Sequence, residues 1–302
     1  MSPWTPLVVA TLGWGASAVL SRAVILNGVD TFTLVPLRMV FAMLTLVVVM
    51  VAWGRFRTRN AAAWKRGGIL GVVGMAVPMT LMTLALEDLP VSLGGLLIAL
   101  IPLSTIAAAH FLVDDERFQA RSLPGLLIAL AGSALLVGVG GETVEGVDNL
   151  WRGVLFSTAG VVMAGVGGAL TRRFAMEVPP DDLVLPQFTV NTAFVFALTP
   201  FLARTDIGEI SAASWLLLAG VGVIGTTMAF AAFLVAAGVN PASRLALTGY
   251  TVPVVAVTLA VVFLGETLTL EIIAGATLII AGVVLAERST QHVPAPGIAT
   301  SR

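Results

Sequence analysis

VSLGGLLIALIPLSTIAAAHFLV, residues 91–113, contains no Asp, Glu, Lys or Arg, and its reading decides the fold. A helix needs about 20 mostly apolar residues to cross a bilayer, and this run has that length. A counterpart lies at residues 242–264, ASRLALTGYTVPVVAVTLAVVFL, with Pro253 standing to it as Pro102 stands to the first run. The chain thus holds two copies of one apolar span, offset by 151 positions (253 − 102).

Working outward, the offset persists. A shift of 150 places Leu20 and Arg22 on Leu170 and Arg172, and Pro36 on Pro186. A shift of 151 places Gly71 and Gly74 on Gly222 and Gly225, Pro90 on Pro241 and Ser92 on Ser243. The shift of 150 returns for Glu116, Gly125, Ala131 and Gly132, which fall on Glu266, Gly275, Ala281 and Gly282. One such match is chance; a near-constant offset across the chain is an internal repeat.

Charged residues divide the chain into apolar runs at roughly 4–26, 32–53, 67–86, 91–113, 123–141, 151–171, 182–203, 213–236, 242–264 and 268–287. These predict an all-α membrane protein of ten transmembrane helices, as two five-helix repeats of inverted topology. An odd number of spans per copy turns the second copy over in the membrane, as in many secondary transporters. The expected organisation is a first repeat over 1–141, a non-cytoplasmic linker over 142–150, a second repeat over 151–287 and a disordered cytoplasmic tail over 288–302. A cleaved signal peptide is the other reading of the first span, but no basic segment precedes it and it has a partner in the second copy.

Composition removes several function classes. Hydrophobic residues make up 58% of the chain and charged residues 11%, against roughly 25% charged in soluble domains. The net charge of −1, with no Lys/Arg tract, argues against nucleic acid as a partner. The absence of Cys removes thiol chemistry, and His110 and His292 are too few and too far apart for a metal cluster. No phosphate-binding glycine loop stands in the chain. Neither a cofactor nor a metal is expected, and no nucleophile–base constellation suggests an enzyme. The expected partners are the lipid bilayer and a small-molecule substrate; monomer and homodimer both stay open.

With the N-terminus in the cytoplasm, the cytoplasmic segments carry Arg55, Arg57, Arg59, Lys65, Arg66, Arg117, Arg121, Arg172, Arg173, Arg244, Arg288 and Arg302. The other side carries Arg22, Arg152 and Arg204, beside Glu87, Asp88, Glu142, Glu145 and Asp148. The positive-inside rule then places both termini in the cytoplasm of a multi-pass protein of the inner (plasma) membrane.

Trp14-Gly15-Ala16-Ser17 in the first span, Pro36 and Arg38 in the second, Pro102 and Pro253, and Leu264-Gly265-Glu266-Thr267-Leu268 followed by Gly275 and Gly282 carry a resemblance. Across nearly the whole chain this pattern resembles the drug/metabolite transporter superfamily, EamA type, with two repeats. The first copy departs at Asp114-Asp115-Glu116, with Asp in place of the pattern's Gly. The resemblance implies transport of small metabolites or drugs, through a cavity lined by the first, third and fourth spans and their partners, the sixth, eighth and ninth.

Individual residues have two readings each. Gly71, Gly74, Gly222 and Gly225 let helices approach closely in lipid, or line a sliding cavity wall. Pro102 and Pro253 kink their helices, and paired kinks suit a gating element. Glu116 and Glu266 are placed to face the positive ends of the fifth and tenth helices. Arg38, inside the second span, either contacts substrate or reaches to the interface. His110 is a titratable group near a helix end, for proton coupling or interfacial bonding. Trp14, Gln187, Asn191, Tyr250 and Thr251 are the remaining polar or aromatic groups away from the loops, and Met75, Met79 and Met82 form one stripe, in a cavity or in simple packing. Trp14, Arg38, Met79, Gln187, Asn191, Tyr250 and Thr251 are accordingly the expected cavity residues.

No carboxylate lies in the middle of a span, which disfavours cation coupling at depth. The expected function is a secondary transporter, an exporter, facilitator or exchanger of small neutral, zwitterionic or largely apolar metabolites such as amino acids. A channel-like pore or a membrane sensor or scaffold is the alternative.

Overall fold

Backbone that crosses lipid must satisfy its own hydrogen bonds, and the apolar runs do so as helices. The computed structural model describes residues 2–52, 54, 60–113, 123–143, 149–240, 245 and 247–290, with the side chains of 136–143, 237–238 and 287–290 left out. The expectations for Arg55, Arg57, Arg59, Asp114, Asp115, Glu116, Arg117, Arg121, Glu145, Asp148, Pro241, Ser243, Arg244, His292 and Arg302 lie outside the described residues.

Among those residues the chain is helical throughout, without strands. The long helices are α1 (Trp4–Leu26), α2 (Thr31–Ala52), α3 (Ala61–Asp88), α4 (Val91–Leu112), α5 (Leu123–Thr143), α6 (Leu150–Ala175), α7 (Pro180–Leu202), α8 (Ala212–Ala236), α9 (Leu247–Leu264) and α10 (Leu270–Thr290). Eight of them are long and apolar enough to cross a membrane; in α5 and α10 the apolar stretches described are shorter, Leu123–Leu135 and Leu270–Ala286.

Three boundaries differ from expectation. Asn60 starts α3 early, its side chain accepting from the Ala62 and Ala63 amides, so Lys65 and Arg66 lie on the helix. α5 runs to Thr143, into the stretch read as linker. α10 runs to Thr290, so the expected tail begins as helix at Arg288.

Two helices change hydrogen-bond register at matching places. Leu70–Ala76 of α3 and Val223–Met228 of α8 are π-helical. Each contains, or directly follows, the repeated glycines, and π turns often mark functional positions. In α4 a 3-10 turn, Ile98–Leu100, stands just before Pro102, where proline removes an amide donor. At Pro253 the helix type does not change, so the two prolines do not interrupt their helices alike.

The packing exchanges the halves. α1 packs on α8 and α9, while α6 packs on α3 and α4. A Cβ on Gly15 would lie 2.5 Å from Val255, and one on Gly165 would lie 2.4 Å from Ser104. Likewise a Cβ on Gly71 would lie 2.6 Å from the Gln187 carbonyl in α7, and one on Gly222 would lie 2.5 Å from the Arg38 carbonyl in α2. α5 and α10 meet through Gly125 against Gly282 and Gly132 against Gly275. That order means the two helices run antiparallel.

Candidate functional site

Between these crossings lies a cavity of about 480 Å³, within the range of small-molecule sites. Its walls come from α1, α3 and α4 of one half and α6, α8 and α9 of the other, with one residue each from α2 and α7. Met75, Met79 and Met82 line it from α3, Trp14 from α1 and Phe230 from α8. Trp14 is fixed by Phe233, with ring centroids 5.1 Å apart.

Arg38 is the one charged side chain among the cavity's described lining residues. It is 8% exposed and turns inward, so it does not reach to the interface. Its Nε donates to Thr226 Oγ1 at 3.1 Å and its Nη2 to Ser17 Oγ at 3.0 Å. The glycines set this geometry. Gly222 brings α8 against the Arg38 backbone, and Gly225 brings it against Ser17, where an added Cβ would sit 2.7 Å away. The π turn then carries Thr226 to the guanidinium, its own hydroxyl donating to the Val221 carbonyl at 2.8 Å.

Of the expected cavity residues, Trp14, Arg38, Met79 and Gln187 line the cavity, as do Pro102 and Pro253. Gly74 and Gly225 also line it, while Gly71 and Gly222 sit in the crossings behind. The other three residues lie elsewhere. Asn191 is fully buried at the α3–α7 crossing, its Nδ2 on Met39 Sδ at 3.5 Å and its Oδ1 without a hydrogen bond. Tyr250 packs against the cluster of Leu89, Leu93 and Ile272. Thr251 is exposed and returns its hydroxyl to the Leu247 carbonyl at 2.8 Å. Ser17, Ser21, Thr83, Thr226 and Thr248 are lining hydroxyls that sequence reasoning passed over. Only Thr226 had a sequence signal, as the neighbour of the repeated Gly225; Ser17 meets that glycine through the fold. His110 is exposed beside Phe111, away from the cavity.

One end of the helix bundle is tied shut. Arg22 donates to the carbonyls of Leu86 and Glu87. The Glu87 carboxylate accepts from the Thr31 amide at 3.1 Å. Arg152 donates to both oxygens of buried Asp88, at 2.6 and 2.7 Å. Glu266 differs from its expected role. It precedes α10, and its carboxylate caps α4 instead, accepting from the amides of Val91 at 2.7 Å and Ser92 at 2.8 Å. A carboxylate at that positive helix end is favourable, and here it joins the two halves.

At the opposite end the repeat-related positions are unequal in part: Arg22 is 7% exposed while its counterpart Arg172 is exposed, but Leu97 at 2% and its counterpart Thr248 at 8% are both buried. At that end Arg66 pairs with Glu177 and Asn240 Nδ2 donates to the Pro3 carbonyl at 2.9 Å. A second cavity of about 380 Å³ lies there, bordered by Asp181, Asp182 and Met50, and it shares Phe230 with the first.

Apolar helices crossing a bilayer around a central cavity, with small residues at their contacts, define a multi-pass membrane protein of the transporter type. Residues 6–138 and 151–287 match the EamA-like transporter family, and the chain belongs to that family. It is 26% identical over 285 residues to a probable terminal-alkyne amino-acid exporter of Streptantibioticus cattleyicolor, a match covering 94% of this chain and 93% of that protein. It is 28% identical over 178 residues to an aromatic amino acid exporter of Ancylobacter novellus, covering 59% of this chain and 60% of that one. A solved crystal structure superimposes with a TM-score of 0.65 at 22% identity, over 92% of this chain and 98% of that chain, a likeness of fold.

Proposed function

We propose that this protein is a secondary transporter that exports small metabolites of the amino-acid class by alternating access. The observation that carries the reading is the central cavity, walled by equivalent helices of both halves and tied across at the Asp88 end by Arg22, Arg152 and Glu266. Two names among its relatives, both amino-acid exporters, support the substrate class and the direction.

The exchanged contacts and the antiparallel α5–α10 pair support a ten-span layout of two inverted repeats. In that layout α5 and α10 span as well. The Asp88 end faces outward and the Arg66 end inward, with both termini in the cytoplasm of the plasma membrane, as the Lys/Arg distribution favours. The structure then corresponds to an outward-closed state. Opening would break the ties of Arg22, Arg152 and Glu266 while closing the Arg66 end, one half tilting against the other.

Counterflow in proteoliposomes tests this. Vesicles preloaded with unlabelled L-phenylalanine or L-leucine should take up the labelled amino acid in a saturable burst. Flux that grows linearly with concentration would favour a pore, and absence of flux for every metabolite class would refute transport.

A further inference from the structure

Among the described cations that make side-chain ties, Arg38 differs in lining the cavity with no carboxylate beside it. Arg152 grips the Asp88 carboxylate and Arg66 pairs with Glu177. Arg22 spends its charge on two main-chain carbonyls. Arg38 is bonded to two neutral hydroxyls, and among the described residues no carboxylate lies within ion-pair distance of it. No hydrogen bond leaves its Nη1 among those residues. The side chain is more than nine-tenths buried and forms part of the cavity wall.

A cation held out of water without a counter-ion is costly, so the cavity as built favours an anionic group beside Arg38. The guanidinium offers a planar fork that matches a carboxylate, and Ser17 and Thr226 hold that fork from behind. The remainder of the wall limits what else the ligand carries. Trp14, Phe230 and the three Met side chains suit an apolar or aromatic body, and the thioethers adapt to its shape. No Asp or Glu is among the described lining residues, so a ligand ammonium group meets only hydroxyls, the Gln187 amide and backbone. One fixed charge selects one opposite charge.

We propose that Arg38 anchors the carboxylate of the transported molecule, and that the cavity therefore takes apolar monocarboxylates whether or not they carry an amino group. This rests on the transport reading above and narrows it: the carboxylate is required and the amine is not. With a monocarboxylate that lacks an amine the loaded site is electrically neutral, whereas a zwitterionic amino acid leaves it with one positive charge.

Titration calorimetry of the purified protein with L-phenylalanine, 3-phenylpropionate and L-phenylalaninamide tests the anchor. The two carboxylates should bind within about tenfold of each other and the amide about tenfold or more weaker. Arg38→Gln should abolish that preference. Arg38→Lys keeps the charge without the fork, so it should reduce the carboxylate-to-amide ratio severalfold, and it serves if the Gln variant does not fold. A purely structural Arg38 would weaken all three ligands by one factor, leaving the ratio unchanged, and would overturn the proposal. So would an amide that binds as well as the acids. Titrating sodium chloride in the absence of any carboxylate separates sources of the anion: stabilisation by chloride, with no response to either carboxylate, makes the site an inorganic-anion site. Counterflow of a neutral or cationic solute, with neither acid binding, removes the anchor and leaves transport standing. Saturable counterflow of no solute removes both.

Discussion

Asp30 does more at the Asp88 end than its place in a short loop suggests. Its carboxylate caps α2 through the Phe32 and Thr33 amides at 2.9 and 3.2 Å, and it reaches the α7–α8 connection through the Thr205 amide at 2.9 Å and hydroxyl at 2.6 Å. Burial raises its pKa, but the bonds from Thr205, Thr33 and Arg204 outweigh burial and hold the carboxyl below its ordinary range. A lowered native pKa means the stabilisation is complete above the unfolded-state value, about 3.9, and is lost as pH falls through the native value. Asp30→Ala should therefore cost about 1–2 kcal/mol at neutral pH. Melting curves in detergent should show the gap to wild type narrowing below roughly pH 4; a gap independent of pH would mean the carboxylate's charge is not what stabilises. The reach to Thr205 could not be read from the sequence, because it lies 175 positions away. Glu266 illustrates the same limit. Its carboxylate at a helix start was foreseeable, but which helix it caps is decided by a tertiary contact.

At the scale of elements, the repeated glycines set the distance between helices, and their cost on substitution depends on what they face. A Cβ on Gly222 meets the Arg38 carbonyl at 2.5 Å and the Ala42 amide at 3.0 Å. Backbone cannot yield as a side-chain tip does, so α2 and α8 must separate. A Cβ on Gly68 meets only the Val190 side chain, its Cγ2 at 3.4 Å and its Cγ1 at 4.0 Å. Gly222→Ala should thus lose about 1–3 kcal/mol, whereas Gly68→Ala should be near neutral. Thermal melts of the two variants give the comparison, and equal melting temperatures would mean the α2–α8 crossing is not as tight as described. The offset of these glycines was plain in the sequence, and with it the element order. The π turns were not, since an i→i+5 register leaves no periodic mark in a stretch that is apolar on every side. Nor could Arg38, Gln187 and Asn191 be sorted beforehand. A helix does not announce at which level along its length it meets a cavity: Gln187 and Asn191 share one face of α7, yet Gln187 lines the cavity while Asn191, one turn on, is buried in a helix crossing.

At the scale of the molecule, the two halves share a sequence pattern but differ in exposure. Val91–Leu97 at the start of α4 is buried without exception, and Glu266 of the other half holds its first amides. If that carboxylate is part of a gate, weakening it should shift the population toward an open Asp88 end rather than unfold the protein, because only a differential contact between two states can move their balance. The chain has no Cys, so a single introduced thiol reports without background. Ser92→Cys, at a position now fully buried, should react slowly with a membrane-impermeant maleimide applied from the Asp88 side. The added change Glu266→Gln keeps the side chain's size while removing the charge at the helix end, and it should speed labelling severalfold. Gly249→Cys in the cavity wall should react from the Arg66 side in the parent background and more slowly once Glu266 is changed, since one end opens as the other closes. Faster labelling at both positions together would indicate general loosening in place of alternation, and the ties at the Asp88 end would then be a packing feature without a gating role.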